Sequence, residues 1–404
     1  MAGTVLLLGT FDTKGHEYAF VCDRLRELGV AALLVDAGIN APVGVEPEVA
    51  RDAVADAGGA RVAELASAGD RGAAVQAMAR GAPVLVRRLF DEGCFDGILA
   101  LGGSGGSSIA TAAMRALPVG VPKLMVSTMA AGDTRPYVGA TDVTMMASVV
   151  DIAGVNSVSA RIMTNAAGAM AGMVGAQAPE LTHRKVIAAT MFGVTTPCVT
   201  RAGELLDELG YEVLVFHATG TGGQSMEVLA SDGYLDGVLD ITTTELADEL
   251  VGGVLSAGPD RLEAAGRSGV PQVVSLGALD MVNFGPRGTV PERFEQRRLY
   301  AHNPTVTLMR TTPEECAELG RRIGRKLSGA RGPTVLFVPL RGVSMIDVEG
   351  QPFHDPAADR ALIDGVKETL DGSVELHELD TDINDERFAA AMAHRLHELV
   401  GETV

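Results

Sequence analysis

Thr10, Asp12, Thr13 and Lys14 sit together in the segment LLLGTFDTKGHEYAF, between an aliphatic run ending at Leu8 and a stretch of helical period. Hydroxyls, a carboxylate and an ammonium gathered where a strand gives way to a helix are the parts of an anion site. Unpaired backbone N–H groups and the helix dipole both face such a turn, and Lys14 adds a formal charge where a phosphate would sit. Asp12 is placed to help hold a magnesium ion. The chain has only five lysines, so one in this turn is informative. The spacing differs from the GxxxxGK(S/T) phosphate loop, and an ordinary βα connection is the competing reading.

A second turn of the same kind is LGGSGGSSIA, from Leu101. Gly102, Gly103, Gly105 and Gly106 allow positive φ and close approach of a ligand to the backbone. Ser104, Ser107 and Ser108 offer hydroxyls, and a helix expected to begin near Ser107 offers its amides. Flexible linkers share this composition, but a linker would not lie between a strand and a helix. A third polar segment, VSTMAAGDTRPYVGATD, follows the next strand and brings Ser127, Thr128, Ala130, Gly132, Asp133 and Thr134, then Thr141 and Asp142. Ligands of open parallel sheets collect beyond the carboxyl ends of the strands, so all three turns are expected on one edge. Asp36, ending the second strand, stands where a ribose-binding carboxylate would be, although no GxGxxG precedes it.

The elements that must position these groups are legible as alternation. Strands are expected at residues 5–8, 32–35, 97–101, 123–126, 186–190, 213–216, 237–241, 272–276, 306–309 and 334–338. Helical segments lie between most of them. In the first, Tyr18, Val21, Cys22, Leu25 and Leu28 recur every three or four residues, and Gly29 closes the helix. This alternation predicts an α/β fold of parallel sheets with right-handed crossovers.

The sequence also repeats itself. LGTFDTKGHEYAFVCDRLRELGVAALLVD realigns at an offset of 181 with ATMFGVTTPCVTRAGELLDELGYEVLVFH, placing Phe11 on Phe192, Leu25 on Leu206 and Gly29 on Gly210. FDGILALGG matches LDGVLDITT at an offset of 140, so the first copy carries about 41 extra residues between Ala41 and Phe90, expected to be helical. Two related Rossmann-like domains follow: a nucleotide-binding domain over 1–180 and a second over 181–404 facing the cleft, joined near 178–184. Where the first copy has Asp12 and Lys14, the second has Gly193 and Thr195, and GGSGGSS is replaced by ITTTE. Phosphate chemistry is therefore expected in the first domain only.

The second domain has polar segments of its own. Asp280, Asn283 and Arg287 lie in one, His302 and Asn303 in another, and Arg341, Ser344, Asp347, His354 and Asp355 in a third. Arg341, His354 and His302 are the candidates for acid–base or phosphate-directed work; a loop clamp explains the His–Asp pair equally well. No metal cluster is expected. Cys22, Cys94, Cys198 and Cys316 lie far apart, and His394 and His397 share the solvated side of an amphipathic helix.

Composition sets the boundaries. With 47% hydrophobic residues and 21% charged, the 404-residue chain reads as globular, and its free thiols suit a reducing, cytoplasmic setting. A net charge of −19 speaks against nucleic acid or an anionic membrane as partner. The apolar stretch from Ala166 is too short to span a bilayer, and no signal peptide is expected before the first strand. A phosphorylated ligand would need a local device against the overall field.

Taken together, GTFDTKGHE, LGGSGGSSIA, VSTMAAGDTRPYVGATD, ALDMVNFGP, HNPTVTLMRTTPEE and PLRGVSMIDVEGQPFHDP resemble the Tm-one-like ATP-binding domain family, typified by the amino-terminal domain of the tomato mosaic virus resistance protein. The resemblance spans nearly the whole chain. It implies a two-lobed homodimer that binds ATP, with magnesium, through Thr10, Asp12, Thr13 and Lys14, the turn from Gly102 to Ser107, and the turn from Ser127 to Gly132. It leaves open an ATP-dependent phosphoryl-transfer or ligation reaction on a small molecule, or a nucleotide-regulated module that binds a protein partner. In the plant member the domain also binds and inhibits a viral replication protein, and a TIM-barrel domain follows it; no such domain is expected in the sequence read here.

Overall fold

The computed structural model describes residues 3–177 and 184–402 and divides into two compact units, Met1–Glu180 and Leu181–Val404. The expected joint falls on residues outside those described, apart from Arg184.

In the first unit the chain runs β1 (Thr4–Gly9), α1 (Phe11–Glu27), β2 (Ala31–Asp36), α2 (Arg51–Ala57), α3 (Val62–Ala68), α4 (Arg71–Asp91), β3 (Gly97–Gly102), α5 (Ser104–Arg115), β4 (Lys123–Ser127), α6 (Arg135–Val138), β5 (Thr144–Ala147) and α7 (Ser157–Gly175). The five strands lie in the order β2-β1-β3-β4-β5, all parallel. Successive strand residues face opposite sides, so each strand feeds two cores. Leu6, Leu8, Ile98 and Ala100 pack beneath α2, α4 and α5. Val5, Leu7, Leu99 and Leu101 pack against α1 and α7. The helical insertion is α2 to α4.

The second unit runs β6 (Val186–Met191), α8 (Thr196–Glu208), β7 (Glu212–His217), α9 (Thr221–Ser231), β8 (Gly237–Thr242), α10 (Glu245–Val251), α11 (Ala264–Ser268), β9 (Gln272–Gly277), β10 (Met281–Phe284), β11 (Leu299–Asn303), β12 (Val306–Arg310), α12 (Pro313–Ser328), β13 (Thr334–Pro339), α13 (Pro356–Thr369), β14 (Glu375–Leu379) and α14 (Glu386–Glu402). Six strands form a parallel sheet ordered β14-β13-β9-β8-β6-β7. Read from β7, the order repeats that of the first unit read from β2: second strand, first strand, then the later strands outward. The run at 306–309 is a strand, but it belongs to a separate antiparallel sheet, β10-β12-β11.

The repeat extends to single hydrogen bonds. The Thr4 amide donates to the Asp96 carboxylate at 2.7 Å and the Val186 amide to the Asp236 carboxylate at 2.8 Å. Gly29 and Gly210, with φ of 77° and 93°, each end the first helix of their copy. β1 and β6 thus correspond at an offset of 182, whereas the ends of the first helices and the strands β2 and β7 correspond at 181. The second copy is one residue shorter between its first strand and the end of its first helix, and Phe192 occupies the place of Thr10: its carbonyl accepts the Thr195 amide as that of Thr10 accepts the Thr13 amide. Leu28 is half exposed instead of buried.

At the strand ends of the second unit the interior is filled by its own charges. Arg261 is fully buried; its guanidinium donates to Asp240 at 2.5 and 2.8 Å and to Glu245 at 2.7 Å. Glu245 in turn accepts the amides of Gly220 and Gly223 at the start of α9. Removing one partner of a buried ion pair leaves the others uncompensated, which typically costs about 3–5 kcal/mol. Arg261→Met is therefore expected to lower the unfolding free energy of the second unit by that amount, read from urea titrations by circular dichroism and localised by hydrogen exchange. A variant as stable as the wild type would contradict it.

Candidate functional site

Gly9 and Tyr18 set the geometry at the top of the first sheet. The Tyr18 hydroxyl lies 2.6 Å from the Leu8 carbonyl and 3.0 Å from the Leu101 carbonyl, and accepts the Leu101 amide at 2.7 Å. It fills the gap where β1 and β3 stop pairing. A Cβ on Gly9 would lie 2.1 Å from the Tyr18 ring. Burial raises the Tyr18 phenol, which stays neutral and able to donate. The turns after β1 and β3 spring from this point.

Both turns line one cavity of about 560 Å³. Thr10, Asp12, Thr13 and Lys14 stand on one side, and Gly103, Ser104, Gly105 and Gly106 on another. α5 begins at Ser104, three residues earlier than the sequence predicts, so its first amides lie within this turn. The four glycines do not serve positive φ, since none of them has it. They serve proximity: a Cβ on Gly102 would come within 3.0 Å of the Gly106 Cα, and one on Gly105 within 3.3 Å of Val75.

The turn after β1 is a hub that fastens two loops. Asp12 Oδ2 accepts the Ile39 amide, the Asn40 amide and the Asn40 side-chain amide at 3.0–3.2 Å. Lys14 breaks the helical geometry, with φ −132° and ψ 19°, and its ammonium donates to the Ile152 carbonyl at 2.5 Å. Glu17 accepts the Gly154 amide at 2.6 Å. A Cβ on Gly15 would meet the Val43 carbonyl at 1.7 Å. Asp12 and Lys14 therefore hold neighbouring loops as well as facing the cavity. Asp36 does not line it; its Oδ1 accepts the Phe11 and Gly38 amides, and burial raises its carboxyl. That arrangement removes it from the ribose position.

The third turn is adjacent but opens on a different space. Ser127 and Thr128 line a second cavity, of about 310 Å³, together with Ser148 and Val149. Asp151 lines both cavities. Ser107 is buried and does not line the larger one; its hydroxyl lies 2.6 Å from that of Ser127 and ties the second turn to the third. Gly102, Ala130 and Gly132 line neither cavity. Thr141 and Asp142 are not at this edge. They precede β5, which runs parallel to β4, so the chain has already crossed back to the amino end. There Asp142 pairs with buried Lys123 at 2.7 Å. Asp133 is exposed and pairs with Arg135.

Several lining residues escaped the sequence reading: Ala37 to Asn40 after β2, Asp151 before α7, and Arg71, Ala74, Val75 and Met78 on α4. The last four were detectable, since i, i+3, i+4, i+7 is one face of a helix.

The candidates of the second unit are not gathered. Arg341 is exposed and pairs with Asp380 through both carboxylate oxygens. His302 is exposed on β11. His354 Nδ1 lies 3.0 Å from the Asp347 carbonyl. What their segments build instead is a buried cluster: Arg310 donates to Asp347 at 2.9 Å and to Asp359 at 2.6 Å, while Asp280 accepts from Ser344 at 2.8 Å. Burial, then the charge of Asp280, pushes Asp347 up to about 9.

The families and relatives fit this architecture. Residues 3–179 match the model for the N-terminal domain of the uncharacterised protein family UPF0261, and residues 184–400 match that for its C-terminal domain. The chain belongs to the UPF0261 family. It is 54% identical over 394 residues to a UPF0261 protein of Clostridium tetani (strain Massachusetts / E88), covering 97% of this chain and 98% of that protein. It is 42% identical over 337 residues to the ToMV resistance protein Tm-1(GCR237) of Solanum lycopersicum, covering 81% of this chain and 45% of the tomato protein. Among solved structures, the Streptomyces sp. SF2575 glycosyltransferase SsfS6, complexed with thymidine diphosphate, matches at 14% identity and a TM-score of 0.22, over 67% of this chain and 81% of that one. A score that low carries no argument about chemistry.

Two predictions concern this UPF0261 chain. Tyr18→Phe keeps the ring but leaves the buried Leu101 amide unpaired, so denaturant unfolding should show a loss of about 1–3 kcal/mol; an unchanged midpoint would refute the wedge. Asp347 has a raised carboxyl, so the folded state keeps a proton that the unfolded chain releases near its ordinary value of about 4. Stability should therefore fall as pH rises toward 9, by up to about 1.4 kcal/mol per pH unit. Asp347→Asn should flatten that slope in urea midpoints measured at pH 6 and 9.

Proposed function

We propose that this UPF0261 protein binds ATP in the larger cavity of its first unit. The observation that carries the reading is the pairing of two strand-end turns across one space, one rich in hydroxyls and charge, the other in glycine and helix-start amides. Lys14 and the first turn of α5 suit a phosphate chain, and Ile39, Met78 and Ile109 give an apolar surface for a base. The similarity to the ToMV resistance protein Tm-1(GCR237) of tomato accords with the family resemblance on which the expectation of ATP rests.

Magnesium would arrive with the nucleotide. It typically takes one or two protein carboxylates together with phosphates and water, and Asp12 and Asp151 are the carboxylates on the cavity wall. Among the described residues no group of three or more histidine, cysteine, aspartate or glutamate side chains is arranged to hold a metal by itself. The metal would supply charge neutralisation along the phosphate chain.

Within this reading the protein is a cytoplasmic homodimer that transfers a phosphoryl group or ligates a small molecule at the expense of ATP. Among the described residues no helix is long and apolar enough to cross a membrane. A second reading is favoured by the relative that is a ToMV resistance protein: ATP orders a surface for a protein partner and is not turned over. Release of ADP, AMP or phosphate above background, in the presence of magnesium and a metabolite panel, separates the two. Titration calorimetry tests their common ground. Wild type should bind ATP, and Lys14→Ala should weaken it by about 1–3 kcal/mol. Equal affinities would remove the turn after β1 from the phosphate site.

A further inference from the structure

The segment after β13, residues 340–347, crosses the carboxyl edge of the second sheet and is tied to the turns after three other strands. The Ala278 amide donates to the Val343 carbonyl at 2.8 Å, the Met345 amide to the Val194 carbonyl at 3.0 Å, and the Ile383 amide to the Gly342 carbonyl at 3.0 Å. Two backbone positions take positive φ there, Ala278 at 57° and Gly342 at 129°. An alanine in the left-handed region is strained, so its surroundings must hold it in place.

Beneath the segment lies a cluster whose charges do not balance. The Ser344 hydroxyl donates to Asp280 at 2.8 Å and the Val343 amide to Asp347 at 3.0 Å. Arg310, on β12, donates to Asp347 at 2.9 Å and to Asp359, on α13, at 2.6 Å. The surrounding elements add no free countercharge. Arg297 is matched by Glu315, exposed Arg298 donates to the His354 carbonyl, and His354 Nδ1 meets the Asp347 carbonyl. Asp355 adds negative charge beside Asp359, and burial keeps the Cys316 thiol on α12 neutral.

With three carboxylates against one guanidinium, full ionisation would leave two uncompensated negative charges in the interior. Buried charge of that kind takes up protons instead. The contacts agree. Asp280 Oδ1 is buried with no hydrogen-bond partner. The carboxyls of Asp347 and Asp359 bond to each other, a contact that needs a proton between them.

We propose that this cluster is a proton-operated latch. Protons held by Asp280 and Asp347 keep residues 340–347 closed over the sheet. Their loss releases the segment, with its exposed Leu340, Arg341 and Met345, from the edge where ligands of parallel sheets collect. The latch lies in the second unit and stands apart from the nucleotide. Burial raises both carboxyls in the closed state, so closing takes up protons that an open, hydrated segment releases near about 4. The latch is therefore firm at low pH and weakens as pH rises, Asp280 losing its proton before Asp347.

Hydrogen exchange of the Val343 and Ile346 amides at pH 6 and 8, corrected for intrinsic rates, tests it against the amide of Leu336, buried in β13. In wild type both should be less protected than Leu336, and their protection should fall by up to about 100-fold between the two pH values, one proton leaving per opening. Asp347→Asn keeps the shape of the protonated carboxyl, and its fall should shrink to about threefold or less. Asp280→Asn removes the neighbouring charge and should also fall less than wild type. Tryptic cleavage after Arg341 at pH 8 should be slower by about 10-fold or more in Asp347→Asn. A fall as steep in both variants as in wild type, or none in wild type, would overturn the latch. So would protection equal to that of Leu336 at both pH values, because the segment would then open only when the whole unit unfolds.

Discussion

The first unit depends on a hydroxyl placed between two strands. β1 and β3 pair up to Leu8 and Ala100 and then part, and the Tyr18 hydroxyl answers the backbone groups this leaves unpaired. Unpaired buried backbone groups are costly, so the strands can separate only because something polar fills the gap. Gly9 leaves room for the ring, and α1 carries it. The separation gives the two turns that follow enough space between them for a cavity.

The second copy of the repeat meets the same constraint by other means, which shows that the constraint belongs to the fold. Between β6 and β8, Thr242 donates its amide to the Thr190 hydroxyl at 2.9 Å, and its own hydroxyl lies 2.7 Å from that of Thr195. Threonines sit close to their own backbone, so this junction is tight. Arg261, Asp240 and Glu245 then occupy the space beyond it. A tyrosine reaching in from a helix props the strands apart; threonines on and beside the strands draw them together. The sequence difference between GGSGGSS and ITTTE is, in structural terms, the difference between an open and a filled strand edge.

Most of the architecture was legible in the sequence because it follows from periodicity. Every aliphatic run taken as a strand is one, since a strand buried on both faces needs a continuous apolar run. The strands that were missed lack that signature. β5 and β14 lie at sheet edges with exposed residues, and β10 and β11 carry Asn283, His302 and Asn303 in an antiparallel sheet. The site was legible only in part. Residue type picked out Thr10, Lys14 and Ser104, which line the cavity, but could not tell that Asp12 would be engaged by Asn40, or that the Ser107 hydroxyl would lie against that of Ser127. Those outcomes depend on contacts between residues far apart in the chain. Arg71 was missed because the insertion was read as a length difference without asking which face of its helix meets the sheet.

Charge explains why the insertion matters. A field of −19 repels phosphate at long range, but its effect fades within about a Debye length, roughly 8 Å at physiological salt. Only groups at the cavity wall then decide whether an anion is accepted. The turn after β1 spends much of its polarity on holding its own loops: Asp12 on residues 39 and 40, Lys14 on Ile152, Glu17 on Gly154. Those bonds make the wall rigid, and a rigid wall with its dipoles already oriented needs little reorganisation when a charge arrives. They also leave the turn with little charge to spare. The inserted helix α4 lies beside the cavity without taking part in those bonds, and it brings Arg71, Ala74, Val75 and Met78 to the wall.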